Sequence, residues 1–241
     1  MRLVICLPTY DERENLEPVV RALGDVLAAH GLDGRVLVID DASPDGTGEI
    51  ADRLAAELPH VDVLHRPARE GLGPAYVAGF GRALSAGADL VLEMDCDFSH
   101  DPADVPRLVA AVGEADVALG SRYVAGGAVR NWGATRRVVS RAGCLYAQAI
   151  LGLGVRDATS GFKCYRRRVL ETIALERISS RGYAFQIETV YRALRAGFSV
   201  REVPVVFTDR AEGGSKMGPG IVAEAIVRVP ALRLAALRNR L

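Results

Sequence analysis

Residues 3–41, LVICLPTYDERENLEPVVRALGDVLAAHGLDGRVLVIDD, decide the fold. The run at 3–8 is aliphatic and carries no charge, the composition of a strand buried on both faces. From 13 to 30 the period changes. Leu16, Val19, Val20, Leu23, Val26 and Leu27 recur at three- and four-residue spacing and form one apolar stripe on a helix. A second aliphatic run follows at 36–41. Strand, helix and strand in this order make a right-handed βαβ unit, which places its two strands parallel in one sheet.

The alternation continues outward from that unit. Further strands are expected at 61–65, 89–95 and 117–120, and helices at 47–58, 73–86 and 103–112. This predicts an α/β fold with a mostly parallel central sheet and flanking helices, in which ligands sit at the carboxyl ends of the strands. Past residue 120 the pattern is less regular. Gly126 and Gly127 mark a loop, and a helix is expected from 135 to about 151. A strand follows at 162–165, a helix at 184–196, and an extended segment at 200–207 in which Pro204 suggests an edge or bulge. Gly213, Gly214, Gly218 and Gly220 mark a loop before an apolar, arginine-bearing tail, which Pro230 is expected to break into two pieces. With no internal repeat and no linker, a single domain is expected.

Of the 241 residues, 49% are hydrophobic and 25% charged, a globular balance. Lys and Arg number 30 against 30 Asp and Glu, so no net positive field argues for nucleic acid, and any anion site must be local. Cys6, Cys96, Cys144 and Cys164 have no metal-like spacing and read as free thiols of a reducing compartment. No secretory signal opens the chain, and the longest uncharged stretch, 142–155, falls short of the roughly 20 residues that span a bilayer. A soluble or peripheral protein is expected.

The strand ends carry the chemistry. After the first strand comes Pro8-Thr9-Tyr10-Asp11-Glu12, which by itself suits a strand end and the start of a helix. After the second come Asp40 and Asp41, adjacent carboxylates that repel and need donors, which the ring N–H groups and ribose hydroxyls of a nucleoside would supply. After the fourth comes Glu93-Met94-Asp95-Cys96-Asp97-Phe98-Ser99-His100-Asp101-Pro102. On extended backbone Asp95 and Asp97 would reach one cation from the same edge. A hard divalent ion takes one or two carboxylates and completes its shell with phosphate oxygens and water. Asp-x-Asp alone also fits a turn or a cap; its place at the end of the fourth strand, after a carboxylate pair on the second, favours the cation. His100 and Asp101-Pro102 read as the start of the next helix. Arg122, Arg136 with Ser140 one turn on, Arg210 and Lys216 supply the cations that two separate phosphates would need.

The motifs PTYDERENL, DDASPDGT, DCDFSHDP, GSRY, NWGATRRVVS, DATSGFKCYRR, GYAFQIE and DRAEGGSKM together resemble those of polyprenol (dolichol) phosphate mannose synthases, which are family-2 glycosyltransferases with the GT-A nucleotide-diphospho-sugar transferase fold. The likeness spans about residues 3–220. It implies a GT-A catalytic domain at 1–220, with 221–241 a helical tail that either belongs to that domain or docks on a membrane or partner. It also implies an inverting transfer of mannose from GDP-mannose to a polyprenyl phosphate with Mg2+ or Mn2+, at the cytoplasmic face of a membrane. Position by position, Pro8, Tyr10, Glu12, Ile39 and Asp41 would hold the guanosine. Asp95 and Asp97 would face the metal and diphosphate with the Cys96 backbone beside them. Arg210 and Lys216 would grip the donor phosphates, and Arg122, Arg136 and Ser140 the lipid phosphate. Cys96 stands where alanine is common. Ser99 stands where some relatives offer glutamine to the metal, and Ser is a weaker neutral ligand.

Other functions stay open on the residues alone: transfer of glucose or another sugar, a soluble acceptor, or a nucleotide-binding domain without catalysis. The last would expect a damaged Asp-x-Asp or missing cations, and both sets are intact. A dinucleotide oxidoreductase fits poorly, because Gly71-Leu72-Gly73 lacks the third glycine, where Tyr76 stands.

Overall fold

The computed structural model describes residues 1–209 and 219–238, with side chains from 224 onward in the last helix. The opening βαβ unit is present as read: β1 (Leu3–Thr9), α1 (Leu16–Ala29) and β2 (Gly34–Asp40), with β1 and β2 parallel from Leu3 opposite Gly34 to Thr9 opposite Asp40. Leu16, Val19, Val20, Leu23 and Leu27 are the buried face of α1. Covering each such side chain contributes roughly 1.5–3 kcal/mol, so the stripe holds the helix to the sheet more firmly than its caps do.

The chain continues through α2 (Thr47–Glu57), β3 (Val61–His65), α3 (Leu72–Ser85), β4 (Leu90–Glu93), a 3-10 turn at Pro102–Asp104, α4 (Val105–Ala111) and β5 (Val117–Ser121). It then forms β6 (Ala128–Arg130), α5 (Ala134–Leu151), β7 (Lys163–Arg166), α6 (Arg167–Thr172), α7 (Tyr183–Arg195), β8 (Val200–Pro204), β9 (Val206–Thr208) and α8 (Pro219–Leu237). The main sheet has the order β3-β2-β1-β4-β7-β5-β8, and only β7 runs antiparallel to its neighbours. From β1 the chain builds outward to β3 and then returns to place β4 on the other side of β1. The direction of winding reverses there, and a crevice opens between the carboxyl ends of β1 and β4.

The structure departs from the sequence expectations in three places. The loop at Gly126 and Gly127 is a tight turn into β6, which pairs in parallel with β9 in a second, two-stranded sheet. Gly126 has φ +89°, and a Cβ on Gly127 would lie 2.4 Å from the Ser121 carbonyl, so a side chain at either position would open that turn. The strand expected at 89–95 ends at Glu93, which leaves Asp95 two residues beyond it and Asp97 in a bend. Pro230 does not divide the tail: α8 runs through it without interruption. A proline leaves the carbonyl four residues earlier without its helical donor. That carbonyl belongs to Ile226, and the Tyr146 hydroxyl on α5 donates to it at 2.9 Å. Val229, Leu232 and Ala236 of α8 are buried in one cluster with Ala147 and Leu151 of α5 and Ile187, Val190 and Tyr191 of α7.

Candidate active site

The crevice between β1 and β4 is a cleft of about 380 Å³. The end of β1 supplies Pro8, Thr9, Tyr10 and Glu12, the end of β2 supplies Asp41, and the loop after β4 supplies Asp95 and Cys96. Arg136 of α5 closes the far wall with Tyr183, Gln186 and Phe207. Seven residues expected at the site therefore meet in one place, although they are spread over more than half the chain. Ile39 does not join them: its side chain is sealed in the core, and its carbonyl accepts a hydrogen bond from Thr9 Oγ1 at 3.4 Å. Asp97, Ser99, Arg122 and Ser140 do not line the cleft, and Arg210 and Lys216 fall outside the described residues.

The crowded carboxylates of β2 find their donors within the protein. Asp41 pairs with Arg66 and accepts from the backbone N–H of Gly71 at 3.0 Å and of Glu70 at 3.2 Å. Asp40 accepts from the Ser43 N–H at 3.4 Å and faces His65 at 3.7 Å. Its hydrogen bond to the Asp52 carboxylate is the main cause that raises the His65 imidazole above its usual value. The loop after β3 thus holds Asp41 in place at the cleft wall. The same loop lays the Arg69 guanidinium over the Tyr10 ring, 3.8 Å from its centroid. Sequence patterns signalled neither arginine, because both lie outside a periodic element.

Beyond β4, the Asp97 carboxylate accepts from the Ser99 N–H at 3.0 Å, and the turn passes through Phe98 at φ +55°. Ser99 Oγ is buried and without a hydrogen-bond partner. An orphaned hydroxyl beside a nearly buried carboxylate matches the donor set of a hard cation, two carboxylates and a neutral oxygen, with its other positions left to phosphate and water. Among the described residues no group of three or more His, Cys, Asp and Glu could hold a metal by itself. His100 is buried against Phe162 and Phe207, with ring centroids at 4.8 and 5.1 Å. Burial pushes its imidazole down to about 4. Asp101, not His100, caps the following 3-10 turn, accepting from the Ala103 N–H at 2.9 Å.

The cations on the acceptor side are less free than their spacing implies. Arg122 is only 7% exposed; its Nε and Nη2 donate to Asp157 at 2.7 and 2.6 Å, and Nη2 also reaches Thr159 Oγ1 at 2.8 Å. Burial by itself would raise the Asp157 carboxyl, but the Arg122 charge and its hydrogen bonds outweigh that and hold it below the ordinary range. Arg136 is more accessible. Its Nη1 donates to both Asp209 oxygens at 2.6 and 2.7 Å, its guanidinium lies 4.5 Å from the Trp132 ring centroid, and its Nε has no partner. Ser140 Oγ meets the Tyr123 hydroxyl at 2.7 Å. Beneath the cleft floor, Lys163 Nζ donates to Glu93 Oε1 at 2.5 Å and also to Gln186 Oε1. Burial drives the lysine down and the glutamate up from their ordinary values.

All four cysteines are buried free thiols, as their spacing suggested. No helix among the described residues is long and apolar enough to cross a membrane.

Comparison with known proteins fits this arrangement. The chain is 47% identical to an undecaprenyl-phosphate mannosyltransferase of Micrococcus luteus, over all of this chain and 99% of that protein. It is 46% identical to a polyprenol monophosphomannose synthase of Mycolicibacterium smegmatis, over 95% of this chain and 85% of that protein. Among solved structures, a glucosyl-3-phosphoglycerate synthase of Mycobacterium tuberculosis in complex with Mn2+, UDP-glucose and phosphoglyceric acid superposes with a TM-score of 0.69. It has 22% identity over 96% of this chain and 79% of that one, a likeness of fold. The profile described as "Glycosyl transferase family 2" matches residues 4–174, and with these relatives it shows that the chain belongs to glycosyltransferase family 2 and has the GT-A fold.

Proposed function

We propose that the chain transfers mannose from GDP-mannose to a polyprenyl phosphate, with inversion at the sugar's anomeric carbon. The observation that carries this is the convergence of Asp41, Asp95 and Arg136 in one cleft at the β1/β4 seam, in a chain whose near-full-length relatives bear the names of lipid-phosphate mannosyltransferases. Pro8, Tyr10, Glu12 and Asp41 form the end suited to the nucleoside, with Ile39 supporting them from the core. Asp95 and Asp97, with Ser99, would hold Mg2+ or Mn2+. When bound, such an ion offsets the charge of the diphosphate and so stabilises it as a leaving group.

The rest of the work falls to the chain. The acceptor phosphate is already an anion, so no general base is needed. The protein's task is to place it in line with the bond that breaks. Arg136 lines the cleft and would meet that anion with the part of its guanidinium that Asp209 does not hold, with Ser140 one turn further along α5. Arg122, committed to Asp157, contributes at most its Nη1 and mainly fixes the loop after β5. Arg210 and Lys216 are assigned to the donor phosphates.

Helix α5 joins this site to a lipid surface. It carries Arg136, Arg137 and Arg141 and no acidic residue, and its outer face exposes Val138 (67%), Val139 and Leu145. Neighbouring α8 exposes Ile226, Val227, Leu234 and Leu237. Each arginine near an anionic leaflet adds about 1 kcal/mol of attraction. The chain accordingly works as a peripheral protein on the cytoplasmic face of a membrane, with the lipid phosphate reached from the docked helix. The test is an assay with sugar-labelled GDP-mannose and polyprenyl phosphate. Label should move into the organic phase, and label that stays in water would defeat the proposal.

A further inference from the structure

The amide of Gln186 is oriented by a charge behind it. Gln186 lies on α7, is 1% exposed, and its Oε1 accepts from the Lys163 ammonium, which has no acceptor capacity of its own. That contact fixes which end of the amide is which: the NH2 group faces the other way. Lys163 is in turn held by Glu93, so the chain Glu93–Lys163–Gln186 is a braced polar rod running from β4 to the cleft. At its tip, Gln186 Nε2 is buried and has no hydrogen-bond partner. Leaving such a donor unpaired is unfavourable, and a bound ligand that accepts from it would remove that penalty.

What surrounds the tip defines the ligand. A Cβ on Gly161 would lie 3.3 Å from Gln186 Nε2 and 3.6 Å from each oxygen of Asp95, so the amide and the carboxylate converge on the side of Gly161 that its missing side chain leaves open. All three residues line the cleft. An amide N–H can only donate and a carboxylate can only accept. A group that satisfies both must accept from one and donate to the other, which is the property of a hydroxyl and not of a phosphate oxygen.

We infer that Gln186 and Asp95, spaced by Gly161, read one hydroxyl of the donor sugar and so help to set which hexose is transferred. This rests on the cleft being the nucleotide-sugar site, and it deepens that assignment by naming the residue that distinguishes sugars.

The experiment is a cycle between protein and donor. Wild type, Gln186→Glu and Gly161→Ala are compared on the intact nucleotide hexose that the wild type turns over and on donors lacking the sugar 2-, 3-, 4- or 6-hydroxyl in turn. Gln186→Glu keeps an acceptor for Lys163 while removing the N–H. Gly161→Ala fills the open space without touching the Lys163 contact, on a backbone that needs no positive φ. For wild type, one particular deoxygenation should lower kcat/KM by roughly tenfold or more. In both variants that same deoxygenation should cost less than about threefold, while penalties at the other positions stay as in wild type. If every deoxygenated donor costs the variants what it costs wild type, Gln186 is merely structural or faces a water, and the inference is overturned. Wild-type turnover of GDP-mannose itself is scored separately, so an error in the donor's identity is distinguishable from an error about Gln186.

Discussion

Asp97 and Asp157 show how differently two buried carboxylates serve one site. Asp97 sits beside an orphaned serine hydroxyl and is assigned to the cation, so Asp97→Asn should lower kcat at least 100-fold while the thermal melt stays close to wild type. Turnover close to wild type at the metal concentration that wild type needs would contradict that assignment. Asp157 serves the fold. Removing its charge strands a buried guanidinium, and Asp157→Asn should cost about 3–5 kcal/mol in chemical denaturation. Because the folded-state pKa of Asp157 is depressed, its contribution is present in full above the unfolded value of about 3.9 and fades as pH falls through the depressed one. The stability gap between wild type and variant should therefore be widest near neutrality and shrink on acidification below about pH 4. The place of Asp95 at the cleft was legible because it follows directly on a strand end. Asp157, Gln186 and Lys163 were not, since their partners lie 35, 23 and 70 residues away and no local pattern encodes such contacts.

At the level of elements, the long aliphatic runs declared themselves: β1, β2, β3 and β5 with α1 to α3 stand where periodicity placed them, and β4 stops two residues short of its expected end. The short pieces did not. β6 is three residues with a single β-branched side chain, and it forms only because Gly126 and Gly127 turn it against β9. The continuity of α8 through Pro230 was equally hidden, because the group that makes it possible is Tyr146, 80 residues from the carbonyl it serves. Tyr146→Phe should cost about 1 kcal/mol and increase hydrogen exchange in the middle of α8. An unchanged exchange rate would mean that the hydroxyl does not support the kink-prone turn. The outer face of α5 makes a separate claim. The double variant Val138→Glu and Leu145→Glu should release the protein from anionic vesicles and depress transfer to long-chain polyprenyl phosphate, with a short, water-soluble isoprenyl phosphate still used well. Equal loss on both acceptors would place the defect in the active site instead.

Over the whole molecule, the reversal of winding between β1 and β4 is what gathers residues 8 to 186 at one crevice, and the α/β alternation announced that reversal only in outline. The antiparallel insertion of β7 between β4 and β5 was invisible in the sequence, yet it carries Lys163 under the cleft and sets the floor on which a donor sugar would rest. The proposed function has Asp95 and Asp97 hold a divalent ion against the diphosphate of a sugar nucleotide. The most direct test is the initial rate of sugar transfer to polyprenyl phosphate after exhaustive chelation and again after adding back Mg2+ or Mn2+. Transfer should fall to background in chelator and return with the metal; transfer at the full rate in chelator would contradict the account.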